Sequence, residues 1–74
     1  LSDLSPEGKL VAYVTNVQGK RSLWLRQAAA EKPIEVVPPA DVTYGGVAFS
    51  PDAGKLYYSM RDADGSSGLY QIPV

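Results

Sequence analysis

Arg61-Asp62-Ala63-Asp64-Gly65 is the stretch of this chain whose residue types and spacing come nearest to metal chemistry. Two carboxylates one residue apart before a glycine could open a calcium loop, because a hard cation takes several oxygen ligands from a turning backbone. The complete pattern needs a third ligand and a distal bidentate Glu, and no Glu follows Glu35. Asp and Gly also populate solvated hairpin tips for turn geometry alone. That plainer reading is preferred here, and neither a metal nor another cofactor is expected.

Nucleophilic chemistry fares no better. Serines such as Ser66 and Ser67 have no base to activate them, since the chain holds no His and no Cys. A triad built on either residue is therefore excluded within these 74 residues. A Ser-Lys pair is compatible with the composition, yet every Lys falls in a polar turn or connection. Asp3, Glu7 and Asp52 sit in or near turns and Glu35 lies in a strand, so no carboxylates pair for acid and base roles. Enzyme activity is not expected.

The aromatics Tyr13, Trp24, Tyr44, Phe49, Tyr57, Tyr58 and Tyr70 could form a stacking platform. Most fall at strand positions, where packing is their ordinary role. Tyr44 is the exception, beside Gly45-Gly46. Seven basic against eight acidic residues leave a net charge of -1 without charge blocks. A nucleic-acid partner, which needs a basic stripe, is not expected. The apolar runs are far shorter than the roughly 20 residues of a membrane span, so no membrane insertion is expected in this segment.

The elements that would position these residues are short strands between turns. Leu10 to Thr15 reads as a strand covered on both faces, Ser22 to Arg26 as the next. Ile34 to Val37 follows, with Pro38-Pro39 as its stop. Tyr44 to Phe49, Leu56 to Met60 and Leu69 to Ile72 complete the series. Gln27 to Lys32 has helix formers, but it is short and bounded by Pro33, so it reads as a connection. Gly19 supplies a positive φ for the hairpin that starts at Asn16.

The series is also a repeat. Ser5-Pro6-Glu7-Gly8-Lys9-Leu10 returns as Ser50-Pro51-Asp52-Ala53-Gly54-Lys55-Leu56. Counting Ala53 as an insertion, Gly8 and Gly54, Leu23 and Leu69, and Trp24 and Tyr70 are each 46 residues apart. On that alignment the two turns differ in type. A period in the forties marks a repeat architecture. The expected fold is all-β: roughly one and a half four-stranded antiparallel meander blades of a β-propeller, a fragment and not a closed ring. Residues 1-39 make the first blade with a partial first strand, and residues 40-74 make a second blade of three strands.

Phe49-Ser50-Pro51-Asp52 with Gly54-Lys55-Leu56-Tyr57-Tyr58-Ser59 and Leu69-Tyr70-Gln71-Ile72 resembles the TolB-type β-propeller repeat, a relative of the WD-type repeat. Leu4 to Thr15 with Leu23 to Arg26 resembles it a second time, although Glu7 stands where Asp is usual. The segments Ser22 to Gln27 and Val36 to Ala40, with Tyr44-Gly45-Gly46, further resemble propellers fused to bacterial kinases and winged-helix regulators. The resemblance implies six or more blades in a ring and a periplasmic or otherwise extracytoplasmic setting. It implies a protein- or ligand-binding, scaffolding or sensory module, or alternatively the substrate-gating propeller of a peptidase.

Leu1-Ser2-Asp3-Leu4 has neither the basic segment nor the apolar core of a leader, and the absence of an initiating Met suggests a segment of a longer protein. Any contacts are expected on the loops Asn16 to Arg21 and Arg61 to Ser67, with Tyr44, Arg61, Asp62 and Asp64 as candidate binding residues. Self-association through exposed blade faces or edge strands is expected as well, because a lone repeat cannot bury both faces.

Overall fold

The computed structural model describes residues 1–74 and contains no helix. Seven strands follow one another: β1 (Ser2–Leu4), β2 (Leu10–Val17), β3 (Lys20–Gln27), β4 (Ile34–Ala40), β5 (Thr43–Phe49), β6 (Lys55–Arg61) and β7 (Ser67–Pro73). They form two antiparallel meanders, a four-stranded sheet in the order β1-β2-β3-β4 and a three-stranded sheet in the order β5-β6-β7. Only Asp41 and Val42 separate the last strand of one from the first strand of the other.

The two sheets are stacked. Ala12, Leu23 and Leu25 of the first join Tyr44, Leu56 and Tyr58 of the second, with Val42 of the connection, in one buried cluster. Leu23 and Leu56 are wholly sealed from solvent. The two leading strands are also linked directly, for Asp3 Oδ2 accepts a hydrogen bond from the Phe49 amide at 3.0 Å. β2 is therefore sealed on one face only. Ala12 is fully buried whereas Val11 and Tyr13, on the other face, stay partly open. The unbroken apolar run of Leu10 to Val14 suggested cover on both sides.

Pro38-Pro39 does not end β4, which continues to Ala40. The strand is an edge, so one side of its backbone needs no partner. On its paired side the register shifts between Leu23↔Val37 and Arg21↔Ala40, and the two prolines fall in the shift. A bulge of this kind spares the ladder the donors that proline lacks.

The repeated turns obey one design. Ser5 N–H donates to Leu10 O at 2.8 Å, Leu10 N–H to Ser5 Oγ at 3.0 Å, and Gly8 N–H to Ser5 O at 2.9 Å. Ser50 N–H donates to Lys55 O at 2.9 Å, Lys55 N–H to Ser50 Oγ at 3.0 Å, and Ala53 N–H to Ser50 O at 2.9 Å. Both serines are buried, each satisfying a strand amide that would otherwise lack a partner. The two turns thus close alike, contrary to the expectation that an inserted Ala53 makes them differ. Ala53 is Gly8's counterpart and takes its left-handed conformation, φ 61° against 74°.

The offset between the sheets is consequently not constant. The pairs Leu4↔Val11 and Phe49↔Leu56 put β1 and β2 45 residues before β5 and β6. Tyr13↔Trp24 and Tyr58↔Tyr70 put β3 46 residues before β7. The extra residue lies in the β6–β7 loop, where Asp62 to Ser66 replace the four residues between Asn16 and Arg21. A slip of one residue turns a strand over. The counterpart of Leu56 is therefore Val11, not Leu10, and that of Tyr58 is Tyr13, not Ala12.

Ala53 carries a testable cost. A left-handed conformation crowds Cβ against the backbone, a penalty glycine avoids. Ala53→Gly is expected to stabilise the fold by about 0.5 to 1 kcal/mol, since the left-handed penalty exceeds glycine's extra chain entropy. A rise in the urea midpoint at unchanged slope would show it. An unchanged or lower midpoint would refute the assignment of strain.

Candidate functional site

Antiparallel meanders sort their turns to two ends. One end carries the β2–β3 hairpin, the Asp41-Val42 connection and the β6–β7 loop. The other carries the two Ser-Pro turns and the chain after β3.

All four candidate binding residues lie toward the first end. Thr43 pairs with Arg61 and Tyr44 with Met60, which brings Tyr44 and Arg61 near the same rim. Tyr44 is only 7% exposed and belongs to the sheet-to-sheet core, so its ring is not offered to a ligand. Its hydroxyl is buried without a hydrogen-bond partner. Burial, and secondarily the neighbouring Tyr58, push this phenol above its ordinary pKa. The Gly45-Gly46 pair beside it marks a register shift in β5, and a Cβ on Gly45 would come within 2.7 Å of Ser59 Oγ.

Asp62 is engaged within its own loop. Asp62 Oδ1 accepts the Asp64 and Ser66 amides, each at 3.0 Å, and Ser66 O accepts the Asp62 amide at 2.8 Å. One carboxylate oxygen is thus spent on closing the loop, as Asp does in turns. Gly65, with φ 88°, completes the bend. The β2–β3 hairpin closes similarly, with Asn16 Oδ1 accepting the Gly19 amide at 3.0 Å and positive φ at Gln18 and Gly19. Two contacts fasten the connection nearby: Arg21 donates to Val42 O at 3.0 Å, and Lys20 pairs with Asp41 at 3.6 Å. The ion pair is exposed at both partners and adds little.

The largest cleft lies at the opposite end, a hollow of about 620 Å³. Glu7, Lys9 and Leu10 come from the first Ser-Pro turn, Asp52 and Ala53 from the second, and Gln27, Ala28 and Ala29 from the end of β3. Stacking the two sheets sets their matching turns side by side, and the cleft is the gap between them. The Ala28 amide donates to Lys9 O at 2.9 Å, which fixes the third wall to the first turn. Half of the lining residues are hydrophobic, and Glu7 and Asp52 add two carboxylates to it.

Asp52 is the better held of the two. Its Oδ1 accepts from Ser50 Oγ at 2.6 Å and from the Gly54 amide at 2.9 Å. The Ser50 hydrogen bond first, and the Gly54 amide second, hold this carboxyl below the usual carboxylate range. It is an anchored negative charge. Reading the loops singly missed this cleft. The signal that could have found it is the duplicated Ser-Pro phrase, because matching turns on stacked repeats become neighbours.

Two smaller hollows lie elsewhere on the surface. Thr43, Gly45, Ser59, Met60, Arg61 and Ser67 line one of about 400 Å³. Tyr57, Leu69, Tyr70 and Gln71 line one of about 210 Å³. No group of three or more His, Cys, Asp or Glu side chains is placed to hold a metal ion. No helix is long and apolar enough to cross a membrane. No family model, curated protein or solved structure matches the chain.

Proposed function

We propose that this chain is a non-catalytic binding and scaffolding module built from stacked repeats of the TolB-type β-propeller kind. The observation that carries the reading is the matched pair of Ser-Pro turns, hydrogen-bonded alike and set side by side around the largest cleft. Function concentrates on loops held by a rigid scaffold, and here the scaffold is the sealed sheet-to-sheet core. The cleft combines apolar lining residues with the Glu7 and Asp52 carboxylates, which suits a short peptide segment bearing a basic side chain. Lys9 in the same lining opposes a strongly cationic ligand and so favours one with a single positive group.

The test is a titration of the isotope-labelled chain with short peptides that are basic, neutral or acidic, followed by backbone amide shifts. Monobasic peptides are expected to move the amides of Glu7, Lys9, Ala28, Asp52 and Ala53, and Asp52→Asn is expected to weaken those shifts severalfold. Perturbations confined to the Asn16 to Arg21 and Arg61 to Ser67 loops would overturn the assignment. So would their absence with every peptide.

A further inference from the structure

Two sheet faces remain uncovered, and the register relates them. The first sheet's covered face carries Ala12, Leu23 and Leu25; its counterparts in the second sheet are Tyr57, Leu69 and Gln71. These stand on the second sheet's open side, with Leu69 79% exposed and Tyr57 36% exposed. Conversely, the second sheet's covered residues Phe49, Leu56 and Tyr58 correspond to Leu4, Val11 and Tyr13. Those three lie on the first sheet's open face, where Leu4 is 57% exposed.

Each open face is therefore the repeat counterpart of one half of the interface already formed inside the molecule. We infer that a second copy of this chain docks head to tail, its first sheet's open face against the second sheet's open face of its neighbour. The inference rests on the stacked-repeat reading above. It continues the intramolecular interface by one step and supplies Tyr13 and Val11 where Tyr58 and Leu56 sit within the chain.

The docking face is also held in shape. Trp24, the counterpart of Tyr70, lies on that side, and its indole N–H donates to Ser22 Oγ at 2.8 Å and Thr15 Oγ1 at 3.2 Å. A fixed ring loses little rotamer freedom on binding. Two differences make the contact between copies weaker than the one within a chain. Gln71 replaces Leu25, and Ala48 stands where Asp3 makes its bond to the neighbouring sheet.

Such a contact is heterologous, using a different patch on each partner, so it can propagate. The two patches can be blocked separately. Leu69→Glu puts an unpaired carboxylate on one, and Leu4→Glu puts one on the other; both sites are exposed, so folding should survive. Sedimentation across a range of concentrations is the readout, with circular dichroism to confirm the strands.

Wild type is expected to gain mass with concentration. Each variant alone should stay monomeric, its association weakened by about a hundredfold or more. An equimolar mixture should form a dimer and stop there, because each variant keeps the patch that the other has lost. Leu69→Lys with Leu4→Lys should repeat the result and serves if either Glu variant fails to fold. A wild-type chain that is monomeric throughout would overturn the proposal. A mixture that remains monomeric would do the same, as would a wild-type dimer that either substitution alone leaves intact. None of these outcomes touches the peptide titration, which reads the cleft between the Ser-Pro turns in the monomer.

Discussion

Leu23→Ala is expected to cost about 3 to 5 kcal/mol of folding stability, while Leu69→Ala changes it by no more than about 0.5 kcal/mol. The two leucines are counterparts in the repeat, 46 residues apart on β3 and β7. Their surroundings differ completely. Leu23 is sealed between the sheets and Leu69 is 79% exposed. Truncating a buried leucine loses the transfer free energy of its methyl groups and leaves a cavity whose walls relax only in part.

The reserve against such a loss is thin. Ten of the chain's 74 residues are buried, and without cysteine no disulfide supplements the core. Small domains sit at the low end of a total stability that spans about 5 to 15 kcal/mol. Leu23→Ala should therefore remove most of the cooperative transition. Leu56→Ala should behave the same way, because Leu56 is the other fully sealed side chain. Urea unfolding followed by Trp24 fluorescence reads all three variants, at a dilution where copies stay apart. Equal losses at Leu23 and Leu69 would mean that the face assigned as open is covered, and would overturn the stacking order.

Much of this arrangement was visible in the sequence. Turn residues and short apolar runs located all the strands from β2 to β7, and the duplicated Ser-Pro phrase announced that the second sheet repeats the first. What sequence could not settle was phase. Gly54 follows Ala53, and aligning glycine with glycine is the natural choice when only residue types are visible. The backbone instead puts Ala53 in the strained position, because Ser50 must reach Lys55 as Ser5 reaches Leu10. One residue of phase decides which face of β2 matches which face of β6, so it also decides which surfaces are open. The prolines of β4 misled for a related reason. Proline forbids a ladder bond, but an edge strand with a bulge does not ask for one there. Tyr44 was singled out by its neighbours Gly45 and Gly46, yet its burial depends on the other sheet, which no local pattern encodes.

Tyr58→Ala is expected to cost about 3 to 4 kcal/mol, whereas Tyr44→Phe should stabilise the fold by about 1 to 2 kcal/mol. Three tyrosines form a row on the covered face of the second sheet. Tyr58 stands 6.1 Å from Tyr44 in a tilted arrangement and 5.3 Å from Tyr70 in a stacked one. Removing the middle ring takes away both contacts together with its burial against the first sheet. Tyr44 is different, because its ring packs well while its hydroxyl is buried without a partner. A buried donor left unsatisfied carries its full desolvation cost, and Phe keeps the ring without the hydroxyl.

The same burial fixes the pH response. Burial first, then the neighbouring tyrosine, raises both Tyr44 and Tyr58 above the ordinary phenol value of 10.0. A group that holds its proton more tightly when folded contributes stability in full below its unfolded pKa, and that contribution falls as pH rises through the folded value. The urea midpoint should therefore be flat near neutrality and fall above pH 10.0. Tyr44→Phe should start higher and fall less steeply, since one of the two buried titrating groups is gone. A loss of stability at neutral pH would show that the hydroxyl has a hydrogen-bonding partner in solution, such as a held water. An alkaline limb as steep as wild type would show that Tyr44 is not among the groups whose ionisation opens the core.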